Sequence, residues 1–259
     1  MQPLIAGNWK MNGVASQLHE IEAVAASVKA TLPSTEVLIC LPATLIAQAV
    51  LTAAGGISIG AEDCSAEISG PFTGDLSAEM LKDAGAGAVI VGHSERRQHY
   101  GETDAVVAAK AKAARRAGLL AIICIGETSA QRLAGNALSV CGDQIARSVP
   151  ENMTASSAVI GYEPLWAIGS GQMPTSGQII EMHAHIRDCL TQCLGAEGKK
   201  LRILYGGSVK PSNALSILSL PEVGGVLVGG ASLKSADFLA ICRAAPAMNP
   251  PNVNSQKEQ

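Results

Sequence analysis

Four parts of the chain carry side chains of the kind that move protons and stabilise negative charge. They are residues 7–13, 91–97, 161–171 and a glycine-rich pair, 205–209 with 227–230. Glu163 supplies a carboxylate, His93 an imidazole and Lys10 an ammonium group. Carboxylates and imidazoles act as general bases and acids, and a fixed ammonium stabilises an oxyanion. These residues indicate acid–base chemistry on a substrate that becomes more negative as it reacts.

The glycine-rich pair has a different chemistry. Gly206, Gly207 and Ser208 follow one apolar run, and Gly229 and Gly230 end the next one. Glycines let a ligand approach the backbone closely, and converging backbone N–H groups bind anions even on an acidic protein. The pair is therefore compatible with an anion site, and a phosphate ligand is possible.

Eight short apolar runs place these residues along the chain. Their starts are roughly 20–45 residues apart, which leaves room for a crossover helix between parallel strands. Helical periodicity is visible over residues 15–31, after Thr103 as far as Gly118, from Ser176, and from Pro211. The runs are residues 3–8, 36–41, 57–61, 88–92, 119–125, 158–163, 202–205 and 225–229.

Repeated strand–helix units are compatible with an open doubly wound sheet or with a closed barrel. No GxGxxG motif follows the first run, which argues against a dinucleotide-binding sheet. The polar residues follow several different strands, as expected for a barrel whose site forms at the carboxyl ends of its strands. We therefore predict an α/β fold, a (β/α)8 barrel of eight parallel strands with outer helices. Residues 1–245 form this single domain, and the proline- and asparagine-rich residues 246–259 form a disordered tail.

Composition excludes several classes of protein. A net charge of −3, from 19 basic and 22 acidic residues, gives no basic face for nucleic acid. No apolar run approaches the ~20 residues of a membrane span, and the N-terminus does not have the pattern of a signal peptide. Seven cysteines, an odd number without a CxxC pair, are typical of free thiols in a reducing compartment. We expect a cytoplasmic protein.

In this order and spacing, the four segments resemble those of the triosephosphate isomerase family. The similarity extends from about residue 3 to residue 244, through every motif quoted above. It implies the TIM barrel and the interconversion of glyceraldehyde 3-phosphate and dihydroxyacetone phosphate, in glycolysis and gluconeogenesis. It also implies that the reaction needs neither a metal nor a cofactor.

The resemblance also implies roles for individual residues. Glu163 would be the catalytic base, and neutral His93 would polarise the carbonyl and shuttle protons between two oxygens. Lys10 and Asn8 would stabilise the substrate's negative charge, with Glu95 supporting Lys10. Backbone groups of Ser208, Gly229, Gly230 and Gly169 would hold the phosphate.

Two further segments match the family. Residues 164–175 resemble its mobile lid, although Pro174 departs from the commonest pattern and should stiffen the end of the lid. Residues 70–79 resemble the loop that enters the neighbouring subunit, where the equivalent of Thr73 approaches the partner near Asn8 and Lys10. A homodimer is therefore expected, with Met11 facing the contact.

Three other functions compete with this interpretation. A Schiff-base aldolase needs a lysine at a barrel strand end, whereas the sixth run ends in Glu163. A metal-dependent hydrolase needs a cluster of His, Asp and Glu ligands, which the sequence does not suggest. An inactive scaffold is expected to have lost Glu163, His93 or Lys10, and all three are present.

Overall fold

The computed structural model describes residues 2–32, 35–168 and 172–245. Within them, eight parallel strands follow one another around the sheet in chain order. The strands are β1 Leu4–Asn8, β2 Glu36–Leu41, β3 Ser58–Ala61, β4 Ala88–Val91, β5 Leu120–Ile125, β6 Ala158–Tyr162, β7 Ile203–Tyr205 and β8 Gly225–Val228.

The sheet closes on itself through its first strand. Leu4 pairs with Glu36 of β2 on one side and with Gly225 of β8 on the other, both in parallel register. The prediction of a (β/α)8 barrel is confirmed. Every strand boundary lies within one residue of the apolar run that predicted it, because a strand buried on both faces has a nearly continuous apolar sequence.

Alternate residues of seven of the eight strands belong to two separate cores, whereas β3 contributes only to the outer one. Leu4 and Ala6 face the barrel interior, where they pack with residues such as Leu38 and Ile90. Ile5, between them, faces outward into a larger core shared with the helices. Since successive side chains of a strand point to opposite faces, one strand fills both layers.

Ten α-helices are present among the described residues, most of them between consecutive strands. They are α1 Leu18–Thr31, α2 Ala43–Ala53, α3 Ala78–Asp83, α4 Ser94–Tyr100, α5 Asp104–Arg116, α6 Ser129–Leu133, α7 Ala137–Ser148, α8 Ser176–Leu194, α9 Ala214–Leu218 and α10 Ser235–Arg243. Short 3-10 turns occupy Ala15–Gln17, Leu165–Ala167 and Gly230–Leu233.

Three of the four predicted helices are present where the sequence placed them. Residues 15–31 form a 3-10 turn followed by α1, Thr103 caps α5, and α8 begins at Ser176. The predicted start at Pro211 is wrong, because α9 begins only at Ala214. The Asn213 side chain accepts a hydrogen bond from the Lys210 backbone at 2.8 Å, which holds this stretch in a turn.

Two predictions concern the end of the chain, beyond or at the last residue that the structure describes. The tail at residues 246–259 lies outside the described residues, and the single-domain boundary at residue 245 stays a prediction. In the part of the chain that is described, no helix is long and apolar enough to cross a membrane.

All seven cysteines are free thiols, and five of them are buried.

Candidate active site

The predicted residues meet at one end of the barrel, around a pocket of about 690 Å³. Asn8, Lys10, His93 and Glu163 line one part of it. Residues 206–212 and the glycines after β8 line the remainder. The carboxyl ends of parallel strands meet at the same rim, which is why residues so far apart in the sequence share this pocket.

Glu163 comes immediately after β6, and its side chain is almost completely buried. Both of its carboxylate oxygens are in contact with groups from the β4–α4 connection. Oε1 lies 2.9 Å from His93 Nε2, and Oε2 accepts a hydrogen bond from the Ser94 backbone at 2.9 Å. The carboxylate is thus held at the rim of the pocket by groups that are 69 or 70 positions away in the chain.

His93 is positioned by the turn between β4 and α4. Gly92 has a φ of +68°, and a Cβ at this position would lie 2.6 Å from Val107, so only glycine fits there. His93 then caps α4, its Nδ1 accepting a hydrogen bond from the Glu95 backbone at 3.3 Å. Because that contact needs the Nδ1 lone pair, the ring proton lies on Nε2, which donates to Glu163.

The pKa of His93 reflects two opposing influences. Burial of the ring lowers the pKa, but the charge and hydrogen bond of Glu163 raise it by more, so the net pKa is above the ordinary value. The elevated pKa therefore depends on Glu163 remaining against the ring.

Lys10 has a left-handed backbone, with φ at +56°. Its backbone N–H donates to Asn8 Oδ1 at 3.0 Å, and its Nζ lies 2.7 Å from Glu95 Oε1. Partial burial raises the pKa of Glu95, but Lys10 outweighs this effect and the net pKa is lowered. The ion pair places the ammonium group over the pocket, and a non-glycine residue with this φ costs on the order of 1–3 kcal/mol.

The two glycine-rich loops differ in how strictly they need glycine. A Cβ on Gly207 would lie 2.1 Å from the Tyr205 hydroxyl, so no larger residue fits without rearrangement. A Cβ on Gly229 would lie 3.7 Å from Lys10 Cε, and Gly230 faces open space. Ser208, Gly229 and Gly230 all line the pocket, as the sequence predicted. Gly169 lies outside the described residues.

Comparisons with known proteins agree with this geometry. A family model described as triosephosphate isomerase matches residues 3–245. A triosephosphate isomerase of Rhodopseudomonas palustris is 56% identical over 249 residues, covering 95% of this chain and 98% of that protein. One from Hyphomonas neptunium is 58% identical over 243 residues, or 93% and 98% of the two chains. The crystal structure of triosephosphate isomerase from Bartonella henselae superimposes with a TM-score of 0.88 at 49% identity, covering 94% of this chain and 99% of that one.

This chain belongs to the triosephosphate isomerase family. It is accordingly an isomerase, and the family resemblance inferred from the motifs is confirmed. The roles of the individual site residues remain predictions, considered below.

Sequence reasoning missed a buried cluster beside Glu163. Glu127 is completely buried, and its Oε1 accepts hydrogen bonds from Trp166 Nε1 at 2.8 Å and Tyr162 Oη at 3.2 Å. Arg132 pairs with the same carboxylate at 2.8 Å. The cluster fixes the turn Leu165–Ala167 immediately after Glu163. Its signal was available, since Glu127 is a polar residue just after the fifth apolar run.

A second missed residue is Glu62, which follows β3 and lies beside Lys10 and Glu95. Burial raises its pKa to about 8, and the neighbouring Glu95 carboxylate raises it too. Its Oε1 is sealed from solvent and has no hydrogen-bond partner. The hydrogen bond from the Lys10 backbone and the Lys10 charge oppose this rise, but the net effect of the surroundings is to disfavour the ionised carboxylate.

Proposed function

We propose that this isomerase interconverts D-glyceraldehyde 3-phosphate and dihydroxyacetone phosphate through an enediolate, with Glu163 as the base. The observation that carries the proposal is the placement of Glu163, His93 and Lys10 around one pocket that also contains the two glycine-rich loops. Carboxylate, imidazole, ammonium and backbone anion sites are the groups that this reaction requires.

Glu163 removes a proton from the carbon next to the substrate carbonyl and returns it to the neighbouring carbon. The electron pair left by the C–H bond forms the enediolate, and its return to carbon completes the isomerisation. Both carboxylate oxygens of Glu163 are engaged, one by His93 and the other by the Ser94 backbone. The substrate must therefore release Glu163 from at least one of these partners.

His93 donates its Nε2–H to the substrate carbonyl in place of Glu163. When the carboxylate leaves, the influence that raises the pKa of His93 goes with it, and burial then favours the neutral ring. A neutral imidazole can give a proton to one substrate oxygen and accept one from the other. The α4 N-terminus next to His93 acts in the same direction, since the positive end of a helix dipole disfavours imidazolium.

Lys10 stabilises the developing oxyanion and the phosphate through its fixed ammonium, which Glu95 orients. Asn8 lines the pocket and uses its Oδ1 to hold the Lys10 backbone, which leaves its amide nitrogen as the donor to the substrate. Backbone N–H groups of Ser208, Gly229 and Gly230 hold the phosphate, with Gly169 as a further donor.

A coupled assay on the purified protein tests the proposed reaction. Glyceraldehyde 3-phosphate is supplied without added metal or cofactor, and formation of dihydroxyacetone phosphate is followed. We expect turnover inhibited by inorganic phosphate, because phosphate should compete for the glycine-rich loops. A folded protein that fails to turn over would contradict the proposal and would favour the inactive-scaffold alternative.

We propose further that the protein is a homodimer formed through the loop around Thr73. Large apolar side chains are exposed next to that loop, among them Phe72, Met80 and Tyr100. Met11 is 97% exposed at the edge of a separate pocket of about 490 Å³, which is also lined by Lys10 and Glu95. Exposed apolar clusters of this kind mark protein–protein contacts, and a partner's loop would fill this pocket.

Sedimentation of the unaltered protein and of Thr73→Glu tests the dimer. We expect a dimer for the first and dissociation for the second, because a buried unpaired carboxylate opposes association. Ser139→Glu is a matched control, since Ser139 is on the surface of α7, away from the loop. A monomeric unaltered protein would contradict the proposal.

We also propose a cytoplasmic location and a role in glycolysis and gluconeogenesis. Seven free cysteines suit a reducing compartment. Fractionation of the source cells tests the location, and activity outside the cytoplasm would contradict it.

A further inference from the structure

Asn213 connects two loops that contribute to the site, yet it does not itself line the pocket. It lies at the start of α9, directly after the run of pocket-lining residues that ends at Ser212. Its side chain is half-buried, and none of its polar groups is spent on capping the helix. An asparagine amide that is not used for capping can be used to hold another part of the chain.

Two of its hydrogen bonds bracket one residue of the proposed phosphate loop. Nδ2 donates to the Ser208 carbonyl at 3.0 Å, and Oδ1 accepts from the Lys210 backbone at 2.8 Å. The peptide groups on both sides of Val209 are thereby fixed. The Ser208 carbonyl oxygen is thereby engaged by a donor from Asn213, a residue that does not line the pocket.

A third contact reaches the segment that precedes α8. Nδ2 lies 3.5 Å from Met173 Sδ, within the range of a weak hydrogen bond to sulfur. Met173 belongs to the stretch that departs from the commonest family pattern. One side chain thus joins the connection after β7 to the stretch just before α8.

We infer that Asn213 is a positioning residue for the substrate phosphate, acting through the backbone of Ser208 and not by contact with the substrate. The inference rests on the proposed function, because it assumes that Ser208 faces a phosphate. If Asn213 is shortened, the Ser208 and Lys210 peptides can rotate, and the anion site loses its fixed geometry. Groups at the carbon chain of the substrate, such as Glu163, are left in place.

The test compares a substrate that has a phosphate with one that lacks it. For Asn213→Ala we expect kcat/KM for glyceraldehyde 3-phosphate to fall about tenfold, the loss of roughly one well-placed hydrogen bond. The inhibition constant of inorganic phosphate should rise by a similar factor. Activity on D-glyceraldehyde, which has no phosphate, should be unchanged. Asn136→Ala, which alters another asparagine at a helix start far from the pocket, is the matched control.

Two results would overturn the inference. Equal losses on both substrates would mean that Asn213 supports the barrel in general. Aspartate at position 213 keeps the acceptor for the Lys210 backbone and loses the donor to Ser208. If Asn213→Asp bound phosphate with the same affinity as the unaltered protein, the hydrogen bond to Ser208 would have no role in phosphate binding.

Phosphate binding can also be followed by NMR titration, which needs no turnover. The titration therefore tests the role of Asn213 even if the protein does not catalyse the proposed isomerase reaction. Weaker phosphate binding by Asn213→Ala than by the unaltered protein would support the inference, and equal binding would overturn it.

Discussion

Glu163 Oε1 and His93 Nε2 lie 2.9 Å apart, so the proposed base and the proposed proton shuttle are in direct hydrogen-bond contact. In the proposed mechanism, substrate binding exchanges this internal hydrogen bond for contacts with the ligand, and His93 then loses the carboxylate that raises its pKa.

Glu163→Gln is expected to lower the pKa of His93 in the free protein. The carboxylate charge raises this pKa, whereas burial lowers it, and glutamine removes only the raising influence. NMR of the labelled imidazole gives the titration directly. Glu181→Gln on the exposed surface of α8 is the control, and its His93 should titrate as in the unaltered protein. An unchanged or higher pKa in Glu163→Gln would show that the two groups are not coupled.

Lys10→Gly is expected to be more stable than Lys10→Ala, by about 1 kcal/mol. Both variants lack the ammonium and should lose activity, but only alanine keeps a Cβ at a φ of +56°. The difference between the thermal unfolding temperatures of the two variants therefore measures the cost of the left-handed backbone at this position. Ala54→Gly on the outside of the barrel, where φ is +46°, should also gain stability. Equal unfolding temperatures for the two Lys10 variants would mean that this backbone carries no strain.

Glu62→Gln is expected to stabilise the protein above pH 7. The pKa of Glu62 is raised to about 8 in the folded state from an ordinary value of 4.5. Between pH 4.5 and pH 8, the folded state therefore keeps a proton on this carboxyl that the unfolded state has lost. Stability contributed by Glu62 is thus complete below pH 4.5 and is lost as the pH rises through 8. Glutamine cannot ionise, so the variant avoids the cost of holding a charge at this buried position.

The difference between Glu62→Gln and the unaltered protein should therefore grow from pH 5 to pH 8 in denaturant unfolding. Glu67→Gln, an exposed neighbour on the same loop, should show no such trend. A pH-independent difference for Glu62→Gln would contradict ionisation of this carboxyl as the cause.

The sequence predicted the strands closely because each is a nearly continuous apolar run, ended by proline after β2 and by glycine or a polar residue after the others. The sequence also predicted that Lys10, His93 and Glu163 lie close together, because the carboxyl ends of parallel strands meet at one rim of the barrel. The start of α9 was mispredicted because Asn213 bonds to the Lys210 backbone, a local competition that a proline signal does not show. The positive φ of Lys10 and the Ser94–Glu163 contact depend on tertiary packing, which no local pattern encodes.

The rate of proton transfer in Glu163 variants tests the central claim most directly. With glyceraldehyde 3-phosphate, Glu163→Asp should lose about 100-fold in kcat, because withdrawing a catalytic group by roughly 1 Å costs that much. Glu163→Gln should lose on the order of 10²–10⁴-fold or more, the contribution of a general base. Glu181→Gln should match the unaltered protein. If Glu163→Gln kept the kcat of the unaltered protein, Glu163 would not be the base, and the proposed mechanism would be contradicted.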